Sequence, residues 1–122
     1  MNKKLEEFKR SRLIQKIRFS NRSGSYVNHI RVFKNNTRDH EYKKFDICWE
    51  LIKNGYEILT EAIFTNGSRA DIVGIKEGRG IIIEVLKSET KEQLAEKIKK
   101  YPTEFEIFSV RTDEEFKMEM IE

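Results

Sequence analysis

Apolar and polar positions change their spacing along the chain, and each change marks an element. Between Thr37 and Asn54 the spacing is helical: Glu41, Phe45, Cys48 and Ile52 fall on one stripe, widened by Trp49 and Leu51. Asn36, Thr37 and Asp39 are candidate caps, because their short side chains accept from the free N–H groups of a first turn, and Asn54-Gly55 supplies a stop. Three strand-like runs follow, Tyr56 to Phe64, Arg69 to Ile75 and Gly80 to Leu86. Turn-forming Asn66-Gly67 and Lys76-Glu77-Gly78-Arg79-Gly80 separate them. A second helix is expected near Thr90 to Lys100, opened by a capping box of Thr90 with Gln93, carrying Leu94, Ile98 and Tyr101 inward and ended by Pro102. Phe105 to Val110 reads as a further strand, and Thr112-Asp113-Glu114-Glu115 starts a short terminal helix.

Upstream, Leu5 and Phe8 suit a short helix. Leu13 to Phe19 and Tyr26 to Phe33 form two β-rich runs around Ser-Asn-Arg-Ser-Gly-Ser, which predicts a hairpin with a six-residue loop; a continuous helix from Lys3 to Arg18 competes with it. After this extension the order is α-β-β-β-α-β, an α/β mixed sheet flanked by helices. Residues 1–38 are read as an N-terminal arm and residues 39–122 as one domain, a size at which a modest core suffices.

Composition changes this picture in two respects. No apolar run approaches the roughly 20 residues of a membrane span, and the opening MNKKLEEFKR has no apolar core like that of a secretory signal, so an intracellular, cytoplasmic protein without a membrane partner is expected. Charge is polarised: residues 1–38 hold 11 basic and 2 acidic side chains, whereas residues 39–122 hold 13 and 19. A basic arm on an acidic body points to a polyanion partner, because Lys and Arg release counterions condensed on phosphates. Cys48 is the only cysteine and His29 and His40 the only histidines, which excludes an intramolecular disulfide and a cysteine zinc cluster. Cys48 lies on an apolar stripe and reads as a small buried hydrophobe; Trp49 is expected in the core.

The chemistry rests on acids placed where a core strand would hold apolar residues. Asp71 stands in Arg69-Ala70-Asp71-Ile72-Val73, and Glu84 in Ile81-Ile82-Ile83-Glu84-Val85-Leu86. A buried carboxylate needs a cation, hydrogen bonds or solvent. Pairing of these two strands brings Asp71 and Glu84 to one end of the sheet; with Glu41 from the helix they make an oxygen cluster suited to Mg²⁺ or Mn²⁺.

These residues resemble the PD-(D/E)XK nuclease superfamily, with its restriction-endonuclease-like fold, and are closest in look to archaeal Holliday-junction-resolvase-like small nucleases. The likeness spans residues 40 to 110 through four ordered pieces: a helix with His40-Glu41 near its start, Asn54-Gly55-Tyr56-Glu57-Ile58-Leu59 leading into a strand, Arg69-Ala70-Asp71-Ile72-Val73, and Ile82-Ile83-Glu84-Val85-Leu86-Lys87-Ser88. It implies a catalytic set of Asp71, Glu84, Lys87 and Glu41, with metal held by Asp71, Glu84, Glu41 and the Val85 carbonyl. One departure stands out. The family pattern places Lys two residues after the acid, but position 86 is Leu, and Lys87 points to the opposite strand face unless a bulge or strand end brings it in. Lys44, one turn from Glu41, and Lys97, on the second helix, are the other candidates.

The reading is therefore a metal-dependent DNA endonuclease, a homodimer by likeness to resolvases, with Arg69, Lys16, Arg18, Arg22, Arg31 and Lys44 on the nucleic acid. Two other readings stand beside it: a nuclease-like module that binds nucleic acid or assembles without turnover, and an acidic adaptor with an unrelated basic tail.

Overall fold

The computed structural model describes residues 2–18 and 27–122. Helix α1 (Lys3–Ile14) begins at Asn2, whose side chain accepts from the N–H groups of Lys4 and Leu5. Helix α2 (Arg38–Lys53) begins at Thr37, whose hydroxyl accepts from His40 N–H, and ends at Asn54, followed by Gly55 at φ +89°. Strands β1 (Glu57–Ile63), β2 (Arg69–Lys76) and β3 (Arg79–Leu86) form an antiparallel meander. Helix α3 (Lys91–Ile98) then crosses over to β4 (Phe105–Arg111), which runs parallel to β3. The result is an α/β fold on a four-stranded mixed sheet in the order β1-β2-β3-β4.

The central strands are buried on both faces, so they read as continuous apolar runs. On one face Ile47, Cys48 and Leu51 of α2 pack with Ile58, Ile72, Ile81, Ile83 and the C-terminal Phe116 and Ile121. On the other, Leu13 of α1, Ile17, Tyr101 and Phe105 cover Leu59, Val73 and Ile82. A two-toothed ion pair from Arg10 to Glu57, at 2.5 and 2.9 Å, ties α1 to β1.

Three expectations are corrected here. Leu13 and Ile14 are helical and residues 27–33 form no strand, so the hairpin is absent among the described residues; its loop lies outside them. Ile17 instead makes a single bridge to Phe64. The buried stripe of α2 is His40, Lys44, Ile47, Cys48 and Leu51, because α2 is apolar on two sides and the sheet takes the other one. Phe45, Ile52 and the expected core residue Trp49 are exposed. The terminal helical turn lies at Met118–Met120, a few residues later than expected.

Candidate functional site

Pairing between β2 and β3 stops at Ile72 opposite Ile83. Beyond that point side chains replace the ladder: Asp71 N–H donates to Glu84 Oε2 at 2.9 Å, and Val85 N–H donates to Asp71 Oδ2 at 2.8 Å. Each acid thus satisfies a backbone donor freed by the parting strands, which explains how two carboxylates are tolerated beside one another. Glu84 is fully buried, and its other oxygen faces the ammonium of Lys97. That lysine comes from α3, a helix without one fully buried residue, held at its start by the complete Thr90–Gln93 capping box.

Both neighbouring strands are irregular at the same level. Glu61 sits in β1 with φ +50°, a left-handed conformation that costs a non-glycine residue energy and gathers at functional sites. It faces Asp71, the one position that the β1–β2 pairing skips between Thr60↔Ile72 and Ala62↔Ala70. Leu59 and Ala62, three residues apart, consequently share one face of the sheet, as do Ala70 and Val73.

Helix α2 closes the site. His40 bridges two acids, with Nε2 3.3 Å from Asp71 Oδ2 and Nδ1 3.1 Å from Glu41 Oε1. Glu41 also accepts from Asn36 and from Phe33 N–H. Lys44, 1% exposed, lies 2.9 Å from Glu41 and 3.2 Å from Glu61 and donates to the Arg31 carbonyl at 2.6 Å. The cluster thus holds four carboxylates (Glu41, Glu61, Asp71, Glu84) against two lysines and one histidine.

Protonation follows from these contacts. Burial pushes Glu84 above the ordinary carboxyl range, and the charge of Asp71 adds to this against the opposing pull of Lys97. Burial likewise raises Glu61, partly offset by Lys44. For Glu41 burial also favours the neutral acid, but hydrogen bonds from Lys44, Asn36, Phe33 N–H and His40 outweigh it and hold the group at about 2. His40 is raised: burial opposes its charge, and its bonds to Asp71 and Glu41 prevail. Burial pushes the Cys48 thiol up to about 12, which leaves it inert as a nucleophile.

The expected site residues divide accordingly. Asp71, Glu84 and Val85 meet at the fork; Glu41 joins them through His40. Lys87 does not join them: it reaches Asp39 at 3.4 Å on the exposed side, as alternation along β3 requires. Lys44, expected on the nucleic acid, is instead buried inside the acid cluster. Lys16 pairs with Glu104 at 3.2 Å, the guanidinium of Arg18 lies 3.5 Å from the Thr65 carbonyl, and Arg22 lies outside the described residues. The Arg69 guanidinium stacks 4.9 Å from the Phe33 ring and, with Arg31 and Glu61, lines a small cavity of about 130 Å³. Glu61 was missed by the sequence reading, although Thr60-Glu61-Ala62 shows the same signal as Asp71, an acid inside an apolar strand.

Among the described residues no three His, Cys, Asp or Glu side chains are grouped as metal ligands. The donor set is a carboxylate pair, which suits Mg²⁺: that ion keeps several waters and is commonly bound by one or two carboxylates together with substrate phosphates. No described helix is long and apolar enough to cross a membrane. No model of a known protein family, no curated protein and no solved structure matches the chain.

Proposed function

We propose that the chain is a metal-dependent DNA endonuclease of PD-(D/E)XK type, its sheet a small version of the restriction-endonuclease-like fold. The observation that carries this reading is the fork itself: Asp71 N–H donates to the Glu84 carboxylate and Val85 N–H donates to the Asp71 carboxylate across two parting strands, with a lysine against the buried Glu84. Neither acid contributes to the apolar core, and a buried acid pair is a costly way to end a ladder unless a cation is to be held.

In this reading Asp71 and Glu84 would hold Mg²⁺ or Mn²⁺, which would supply Lewis-acid polarisation of a phosphate and acidify a water. Lys97 takes the place that the resemblance gives to a strand lysine. It is half-exposed and flexible, so it can leave Glu84 for the attacking water and offset the charge that develops on the phosphate. His40 orients the Asp71 carboxylate, and Lys44 locks Glu41 and Glu61 behind it. Arg69 and Arg31 stand at the cavity beside Glu61, where a neighbouring phosphate is gripped.

Labelled four-way-junction, linear duplex and single-stranded DNA incubated with Mg²⁺ or Mn²⁺ test the reading. Cutting by the wild type that disappears in both Asp71→Ala and Glu84→Ala supports it. DNA binding without cutting in either metal supports instead a module that holds nucleic acid without turnover, a reading favoured by the lysine that already occupies one Glu84 oxygen.

A further inference from the structure

We infer that the outer face of α2 is a pairing surface for a second copy of this chain. Tyr42, Phe45, Trp49 and Ile52 lie on that face at intervals of three, four and three residues. All four are exposed, Trp49 by 54% and Phe45 by 50%. This spacing is the one by which a helix fits its apolar seam into another helix. Phe45 and Trp49 stack on each other, with centroids 6.3 Å apart and planes at 21°. Beside them opens a groove of about 410 Å³, bounded by Lys43, Asp46, Glu50, Glu115 and Phe116. A contiguous aromatic strip of this kind, rimmed by polar residues, marks an interaction surface and not ordinary scattered exposure.

The charge of the rim selects the occupant. Arg38 stands 5.2 Å from the Tyr42 ring and Lys53 5.9 Å from the Trp49 ring, and Lys43 borders the groove together with Asp46, Glu50 and Glu115. Three cations and three carboxylates repel part of any strongly charged partner, nucleic acid included; a surface of mixed sign complements its own copy under a two-fold axis. With the two α2 helices antiparallel and Phe45 level with Trp49 of the second copy, Tyr42 is level with Ile52, and Lys43 lies within about one residue of Glu50. One register thus matches ring to ring, aromatic to aliphatic and cation to carboxylate. The acid cluster lies on the opposite, buried side of α2, so this inference does not rest on the nuclease reading.

Trp49 is the only tryptophan, so its emission reports on this face directly. Sedimentation velocity and fluorescence across about 1 to 200 µM are expected to show a dimer forming as Trp49 emission moves to the blue. Phe45→Glu should sediment as a monomer with unchanged circular dichroism, since the position is exposed. Lys43→Glu should weaken dimerisation about tenfold, and Lys43→Glu with Glu50→Lys should restore it; these two variants decide the matter if Phe45→Glu fails to fold. A monomer throughout the range, a dimer indifferent to Phe45→Glu, or Trp49 emission that responds to duplex DNA but not to protein concentration would each overturn the inference.

Discussion

Burial and the nearby Asp71 disfavour a charge on Glu84 and raise its pKa, against the opposing pull of Lys97. A carboxyl whose folded value lies above the usual 4.5 favours the folded state at low pH, and that advantage is lost as pH rises through the folded value. Glu84→Gln is therefore expected to flatten the decline of stability above pH 4.5 and to leave the protein at least as stable as wild type at pH 7, as urea unfolding at a series of pH values will show. A large loss at pH 7 would contradict it. Glu41 has the opposite sign: held at about 2, it adds stability above pH 4.5 that is lost as pH falls toward 2. Glu41→Gln should thus destabilise the protein by about 1–3 kcal/mol at neutral pH, the size expected for hydrogen bonds to a charged group, and by progressively less through that acid window. Divalent metal provides a third check. If the proposed centre holds a metal, Mn²⁺ should raise the melting temperature of the wild type and leave that of Asp71→Ala unchanged, because an ion held by the folded acid pair alone would stabilise the folded state. At this scale Asp71 and Glu84 were legible because a carboxylate inside an apolar strand demands a partner. Lys97 was only one of three candidate lysines, since no local pattern ties a helix lysine to a strand acid thirteen residues earlier.

Helix α3 buries no residue completely and stays over the fork through its cap, the half-buried Leu94 and Ile98, and Lys97. Thr90→Ala removes one half of the capping box, at a cost of about 1 kcal/mol. The account predicts a larger fall in cleavage than in stability, because a frayed α3 misplaces Lys97; equal activity in wild type and Thr90→Ala would argue against that role. Gly80 offers a second element-scale check. A β-carbon there would stand 2.8 Å from Leu13 and 2.9 Å from Phe105, so Gly80→Ala should push α1 off the sheet and destabilise by about 1–3 kcal/mol in thermal unfolding. Elements with strong punctuation were read from sequence nearly to the residue: Thr37 and Asn54-Gly55 bracket α2, and Thr90 with Gln93 opens α3. The phase of α2 was not. Phe45, Trp49 and Ile52 make a second apolar face as convincing as Ile47, Cys48 and Leu51, and only the sheet decides which is buried. The N-terminal runs failed for a related reason, because β-branched residues near Ile14 and Ile17 pack equally well at a helix end followed by one bridge.

At the scale of the molecule, the sheet places two irregular strands, the β2–β3 fork and two helices around an acidic cluster, with α1 packed through Leu13 on the sheet face opposite α2. Part of the charge polarity seen along the chain is thereby internal: Arg10 pairs with Glu57 and Lys16 with Glu104, which joins arm to body. Arg31 and Arg69 line the small cavity together with Glu61. The central claim is that Asp71, Glu84 and Lys97 act as one centre for phosphodiester hydrolysis. Its most direct test is the single-turnover cleavage rate in Mg²⁺ of wild type, Lys97→Ala and Lys87→Ala on the DNA that the wild type cuts best. The account predicts a fall of about a hundredfold or more for Lys97→Ala, in the range of a lost transition-state donor, and a rate near wild type for Lys87→Ala. A normal rate for Lys97→Ala, or no metal-dependent cutting by the wild type on any of the three DNAs, would contradict it.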